Sequence, residues 1–213
     1  MRTNPSFALD DVDEVRRLVR DHPWVTLVSA THAGELVASH YPVILDPAAA
    51  ADEIVLLGHV GRPDERLHEL GTHEVLVIVQ GPHGYISPGW YDAVPAVPTW
   101  NFVTAHLHGI PELLDDAENL RVLADLVDAF EDRLPQPRRM NGTLENAAYA
   151  KHIVTGTVGF RLRVGRFTAK DKMSQNKTAV VVDSIVAELD GDGPYANPAL
   201  AERMRRSRDG LPA

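Results

Sequence analysis

Three short runs concentrate the residues able to do chemistry: Gln80 to Tyr91 (QGPHGYISPGWY), Val97 to Phe102 (VPTWNF) and Lys172 to Asn176 (KMSQN). In the last, Lys172 supplies a positive charge and Ser174 a hydroxyl, while Gln175 and Asn176 carry amides that both donate and accept hydrogen bonds. In the second, Trp100 offers a flat apolar wall flanked by the hydrogen-bonding side chains of Thr99 and Asn101. In the first, Tyr85, Ser87, Trp90 and Tyr91 suit a groove or an interface with one wet edge. This is the chemistry of holding a ligand, because no side chain stands out as a general acid or base. Each run also has a plainer reading. Ser174 or Asn176 would cap a following helix, and an isolated Trp is more often core.

The histidines and arginines add weaker signals. His106 and His108 alternate onto one face of a strand, as metal ligands do, with His83 as a third. No acidic partner stands at a telling spacing, and ten histidines in 213 residues produce such a pair by chance, so no metal is expected. His59, Arg62 and Arg66 form a small cationic cluster that suits a phosphate or simply balances Asp64, Glu65 and Glu69. Arg203, Arg205, Arg206 and Arg208 lie beside Glu202 and Asp209, which reads as a solvated terminal helix. With no helix-turn-helix pair in view, direct DNA binding is not expected.

Composition bounds these readings. A formal charge of −9 argues against a surface built to bind polyanions. The absence of cysteine excludes disulfides, thiolate metal sites, iron–sulfur clusters and cysteine nucleophiles. No stretch of eighteen apolar residues and no basic-then-apolar leader is present, so the expectation is a cytoplasmic protein without membrane insertion.

The elements that must position these residues follow from periodicity. A helix is predicted from Asp10 to Asp21, with Val12, Val15, Leu18 and Val19 on one face. Strands follow at Trp24 to Ala30, Leu36 to Leu45 and Ile54 to His59, then a short helix at Arg62 to Leu70 and a strand at Glu74 to Gln80. Gly81 to Pro98 reads as an aromatic-rich loop folded over something, and Thr99 to Ile110 as a strand. The clearest helix is Asp116 to Arg133 behind an Asp cap; a brief helical piece at Glu145 to Tyr149 leads into a long strand from Ile153 to Phe167. Asn176 to Leu189 and Pro198 to Ser207 read as helices. Many strands with short connections and no βαβ rhythm predict a mainly β fold with appended helices, an antiparallel barrel. Residues 1–213 are expected to form a single domain with a helical C-terminal extension from about residue 190.

Taken together, in this order and at this spacing, the three runs resemble the PaiB family of FMN-binding proteins, named after a negative regulator of protease production and sporulation. Asn4-Pro5-Ser6-Phe7, His40-Tyr41-Pro42-Val43 and Gly58-His59 support the match, which spans nearly the whole chain. The resemblance implies an FMN-binding split β-barrel of the pyridoxamine-phosphate-oxidase-like kind, a homodimer with FMN at the subunit interface. It implies cofactor contacts from His59, Arg62, Tyr85, Ser87, Thr99, Trp100, Asn101, His106, Lys172, Ser174, Gln175 and Asn176. One departure touches the phosphate end: the family continues Gly-His into an Ala-Asn-Pro segment, whereas this chain runs Gly58-His59-Val60-Gly61-Arg62-Pro63, one residue shorter. The resemblance further implies a transcriptional-regulator type of role. Two alternatives stay open: an FMN-dependent oxidoreductase using NAD(P)H, in which the cofactor carries the reaction, or the same barrel binding a deazaflavin or haem.

Overall fold

Helices in this chain begin where a side chain can take over an N–H that the first turn leaves unpaired. In a computed structural model, which describes residues 1, 4–91 and 95–209, helix α1 (Val12–Asp21) starts behind Asp11, whose carboxylate accepts from the N–H groups of Asp13 and Glu14. Helix α3 (Asp116–Glu131) starts behind Asp115 in the same way, and α4 (Leu144–Ile153) behind Thr143. The remaining helices are α2 (Arg62–Leu67), α5 (Ala179–Asp190) and α6 (Pro198–Asp209). The strands are β1 (Trp24–Ala30), β2 (Leu36–Leu45), β3 (Val55–Gly61), β4 (Val75–Ile86), β5 (Thr99–Gly109), β6 (Glu112–Leu113), β7 (Thr157–Arg163) and β8 (Arg166–Lys172).

The strands form one sheet in the order β6-β7-β3-β2-β1-β4-β5-β8. The registers of β1 on β2, β2 on β3 and β3 on β7 are all antiparallel. Three expectations need correction. Strand β4 does not stop at Gln80 but continues to Ile86, so the first part of the aromatic-rich loop is strand. The long strand expected from Ile153 is the end of α4 and then two strands divided at Val164-Gly165. Helix α5 begins at Ala179 behind Thr178, so neither Ser174 nor Asn176 caps it.

Contacts divide the chain into two compact units, with β4 and β5 passing from one into the other. The larger unit comprises Asp11–Val79 and His106–Phe167. Its core combines Val15, Leu18 and Val19 of α1 with Val25 and Leu27 of β1 and the buried run Val55, Leu56 and Leu57 of β3. Helix α3 covers that sheet, with Val122 and Leu126 against Leu57 and Leu114. The sheet also closes on itself here: a Cβ on Gly109 of β5 would lie 2.5 Å from the Arg163 carbonyl oxygen of β7, and the Gly165 N–H donates to the His108 carbonyl at 2.9 Å. Only a glycine permits that approach. Gly58 is fixed by similar crowding, since its Cβ would stand 2.6 Å from Cζ of Phe160.

The smaller unit comprises Met1–Asp10, Gln80–Ala105 and the described residues from Thr168 onward. Buried Val182, Ile185 and Leu189 of α5 pack with Leu200, Ala201 and Met204 of α6. Gly84 lets Leu200 approach, because a Cβ there would meet Leu200 Cδ2 at 2.9 Å. Three of the four terminal arginines are committed inside this unit: Arg203 pairs with Asp171 at 2.7 Å, Arg205 with Asp190, and Arg208 with Asp183.

Candidate functional site

In the smaller unit the end of β8, the start of β5 and the end of β4 bring nine of the twelve expected site residues into one region. Strand alternation decides which of them face outward. On β5, Trp100 is 55% exposed while its neighbour Asn101 is fully buried. Lys172 closes β8, and its ammonium donates to Thr99 Oγ1 and, at 2.9 Å, to the Trp100 carbonyl. Burial, and then the nearby Lys170, pull the Lys172 pKa below the ordinary lysine value. The Trp100 ring meets Tyr85 edge-on at 6.3 Å, and Tyr85 in turn lies 5.1 Å from Tyr195.

The other members spend their polar atoms on the protein. Asn101 Nδ2 donates to Ser174 Oγ at 3.0 Å and contacts Met204 Sδ at 3.4 Å, while the Ser174 hydroxyl donates back to Asn101 Oδ1 at 3.2 Å. Ser174 sits at φ 63°, the left-handed region that a non-glycine residue enters at a cost, and the paired Asn101 holds it there. Gln175 folds back, accepting from the Met173 N–H at 2.7 Å and donating to the Asp171 carbonyl. Ser87 caps the short turn Pro88–Trp90 by accepting from the Gly89 N–H at 3.1 Å. Asn176 is exposed on the turn after β8. Lys172, Thr99, Trp100 and Tyr85 thus form an outward, partly exposed set beside the buried Asn101 and Ser174, with Thr99 on the face of β5 that Asn101 shares and Trp100 on the opposite one.

Tyr195 was not among the expected residues. It is 53% exposed in the link between α5 and α6 and joins the cluster through Tyr85 and Trp90. Its only signal in the sequence is an aromatic residue inside the turn-forming GDGPYANP segment.

The larger unit holds the other three. His59 lies on β3 opposite Gly159 and is half-buried; its Nδ1 is buried with no hydrogen-bond partner among the described residues. Burial lowers its pKa, so the neutral imidazole is favoured. Arg62 opens α2, but its Nε donates to the Thr155 carbonyl at 2.6 Å and its guanidinium stands 3.6 Å from Asp116. His106 is half-buried on the same face of β5 as His108, and burial lowers its pKa too.

A mainly antiparallel sheet that closes on itself at one end and carries helices outside the strand order is a split β-barrel. The chain belongs to the family described as Putative FMN-binding domain, whose model matches residues 1–166. Over 200 residues it is 28% identical to the protease synthase and sporulation protein PAI 2 of Bacillus subtilis, with 93% of each chain covered. An uncharacterized protein of Emericella nidulans is 24% identical over 228 residues, covering 90% of this chain and 91% of that one. Among solved structures, an FAD and heme binding protein from Mycobacterium smegmatis superposes with a TM-score of 0.57 at 18% identity, covering 84% of this chain and 79% of its own. The flavocytochrome Anf3 from Azotobacter vinelandii gives 0.57 at 15% identity, with 81% and 72% covered. At such identities the likeness is one of fold.

The residues present fit a flavin nucleotide by their donor chemistry. In the smaller unit an ammonium beside a hydroxyl suits a phosphate or sugar oxygen, and an exposed indole suits the face of a planar ring.

Proposed function

We propose that this protein binds FMN non-covalently, in the manner of the PaiB-type regulators, and works as a homodimer. The observation that carries the reading is the outward set in the smaller unit. Lys172, partly desolvated, is tied to Thr99 and to the backbone carbonyl of Trp100, whose indole is 55% exposed and meets Tyr85 edge-on. Holding a lysine below its ordinary pKa and leaving a large aromatic in water both cost free energy, and an anionic ligand with a planar ring offsets both. Bound FMN would supply electron-transfer chemistry at its ring; this chain's residues bind and orient it. Lys172 and Thr99 take the phosphate or sugar oxygens, and Trp100 with Tyr85 covers the ring. His59 and Arg62 form a separate set, whose share is read from their own variants.

The homodimer is supported by the outward face of β1, β2 and β4 in the larger unit. Trp24↔Pro42, Thr26↔His40, Val28↔Ala38 and Ala30↔Leu36 oppose one another across β1 and β2, and Leu76 and Ile78 of β4 continue the row. Trp24 is 64% and Leu36 80% exposed, so this row leaves large apolar groups in water. A second copy laid on this face would bury it; FMN at the subunit interface is part of the same PaiB-type reading. A regulatory role in the cytoplasm completes the reading.

The test is titration of flavin-free protein with FMN. Lys172→Ala is expected to weaken binding about tenfold or more, the loss of one charge-assisted contact, with an unchanged unfolding midpoint. Wild-type protein that does not bind FMN overturns the reading.

A further inference from the structure

Two turns of the larger unit meet at a donor set that the flavin reading does not use. The β1–β2 turn carries His32, and the turn between α2 and β4 carries Glu69 and His73. Glu69 Oε2 is the shared point: it accepts from the His32 N–H at 2.8 Å, lies 2.5 Å from His32 Nδ1, and is 4.0 Å from His73 Nδ1. One ligand atom from each of the three residues falls within 4.8 Å of the others, the only such group of three among the described residues. Among the described residues the His106–His108 pair gathers no such group of three; His108 Nδ1 lies 3.7 Å from Glu74.

We propose that His32, Glu69 and His73 form a binding site for a divalent transition-metal ion of the zinc class. Two imidazoles and one carboxylate are the donors of an open zinc site, with water completing the shell, and they disfavour magnesium or calcium, which take all-oxygen shells. The spacing is within reach. Ligand bonds of about 2.0–2.2 Å in a tetrahedron put donor atoms roughly 3.4 Å apart. His32 therefore has to open away from Glu69 by about 1 Å and His73 to approach it by somewhat less. His32 has the freedom to do so, being 68% exposed on its side chain, and the site faces solvent for ion entry.

The Glu69 carboxyl is held below the ordinary carboxylate range first by the His32 N–H and then by the His32 ring. His73 Nε2 is buried without a partner among the described residues, while Nδ1 lies 3.0 Å from Thr72 Oγ1, a contact that an ion on Nδ1 would replace. An ion here would tie the hairpin turn to the turn that leads into β4, and so raise the thermal midpoint by linkage.

The experiment is calorimetric titration of Zn²⁺ into tag-free, chelator-stripped protein without FMN, with the absorption of bound Co²⁺ as a second readout of coordination. The result expected is one Zn²⁺ per chain and a raised midpoint, with affinity reduced at least tenfold in both His32→Ala and Glu69→Gln and kept in His83→Ala/His108→Ala. His32 is exposed, so its variant keeps the fold. No saturable binding at micromolar Zn²⁺, affinity unchanged in His32→Ala and Glu69→Gln, or affinity lost in the His83/His108 variant would overturn the site.

Discussion

Asn101 and Trp100 are neighbours with opposite duties, and the difference lies in one step of strand alternation. Trp100 points out beside Lys172, while Asn101 is buried against Ser174 and Met204. Asn101→Ala is therefore expected to destabilise the fold by about 1–3 kcal/mol, because it strands the Ser174 hydroxyl in the interior. Chemical denaturation would detect this; a neutral result contradicts the inward role. The three runs that carry Lys172, Thr99, Trp100 and Tyr85 do come together in the fold. Which polar atoms remain for a ligand was not legible, since Asn101, Ser174 and Gln175 are equally good at binding a ligand or shaping a turn.

Histidine titration belongs to the same scale. His68 is fully buried between Ser29 Oγ at 2.8 Å and Ser39 Oγ at 2.9 Å, and burial lowers its pKa, as it does for His59, His106 and His108. A histidine lowered in the folded state binds fewer protons there than in the unfolded chain. Its contribution is complete above the unfolded value of 6.5 and is lost as the pH falls below it. The unfolding midpoint is expected to drop between pH 7 and pH 5.5, about the window set by that unfolded value, and less steeply in His68→Gln. A flat profile contradicts this.

At the scale of elements, β1, β2, β3, β5 and the helix behind Asp115 follow from period and caps alone. Two departures have a physical cause. Gly81-Pro82-His83-Gly84 reads as loop, yet β1 registers with β4 only over Leu76–Ile78, so Pro82 lies beyond that ladder and its missing N–H breaks no bond in it. The run from Thr157 to Lys172 carries apolar residues at even positions up to Val164 and at odd positions from Phe167, so the phase slips where the chain changes neighbours at Val164-Gly165, a one-residue shift easily read through as a single strand. Gly58 tests the packing of these elements. With a Cβ there 2.6 Å from the Phe160 ring, Gly58→Ala is expected to cost about 1–3 kcal/mol, and Phe160→Leu in the same chain to restore part of it. Thermal melts of the single and double variants check the pair.

For the whole molecule, the sequence predicts a mainly β split barrel, and the sheet order and family membership agree. Strand neighbours such as β3 with β7 are distant in sequence and set by tertiary packing, so no local signal encodes them. The arginine-rich end likewise shows its use only in three dimensions, where Arg203, Arg205 and Arg208 pair with Asp171, Asp190 and Asp183. None of the described helices is long and apolar enough to cross a membrane. The proposed dimer is a whole-molecule property. Leu36→Glu, at a site 80% exposed, is expected to leave the fold intact and convert a dimer to a monomer in light scattering; a variant of unchanged mass moves the interface off the β1–β2 face.

The most direct test of the central claim is the absorbance spectrum and FMN titration of the purified protein beside its Lys172→Ala variant. The account predicts saturable binding near one FMN per chain with a perturbed flavin spectrum, and about tenfold or greater weakening in the variant. Wild-type protein without saturable FMN binding would contradict it, and equal affinity in the two proteins would remove Lys172 and its neighbours from the site.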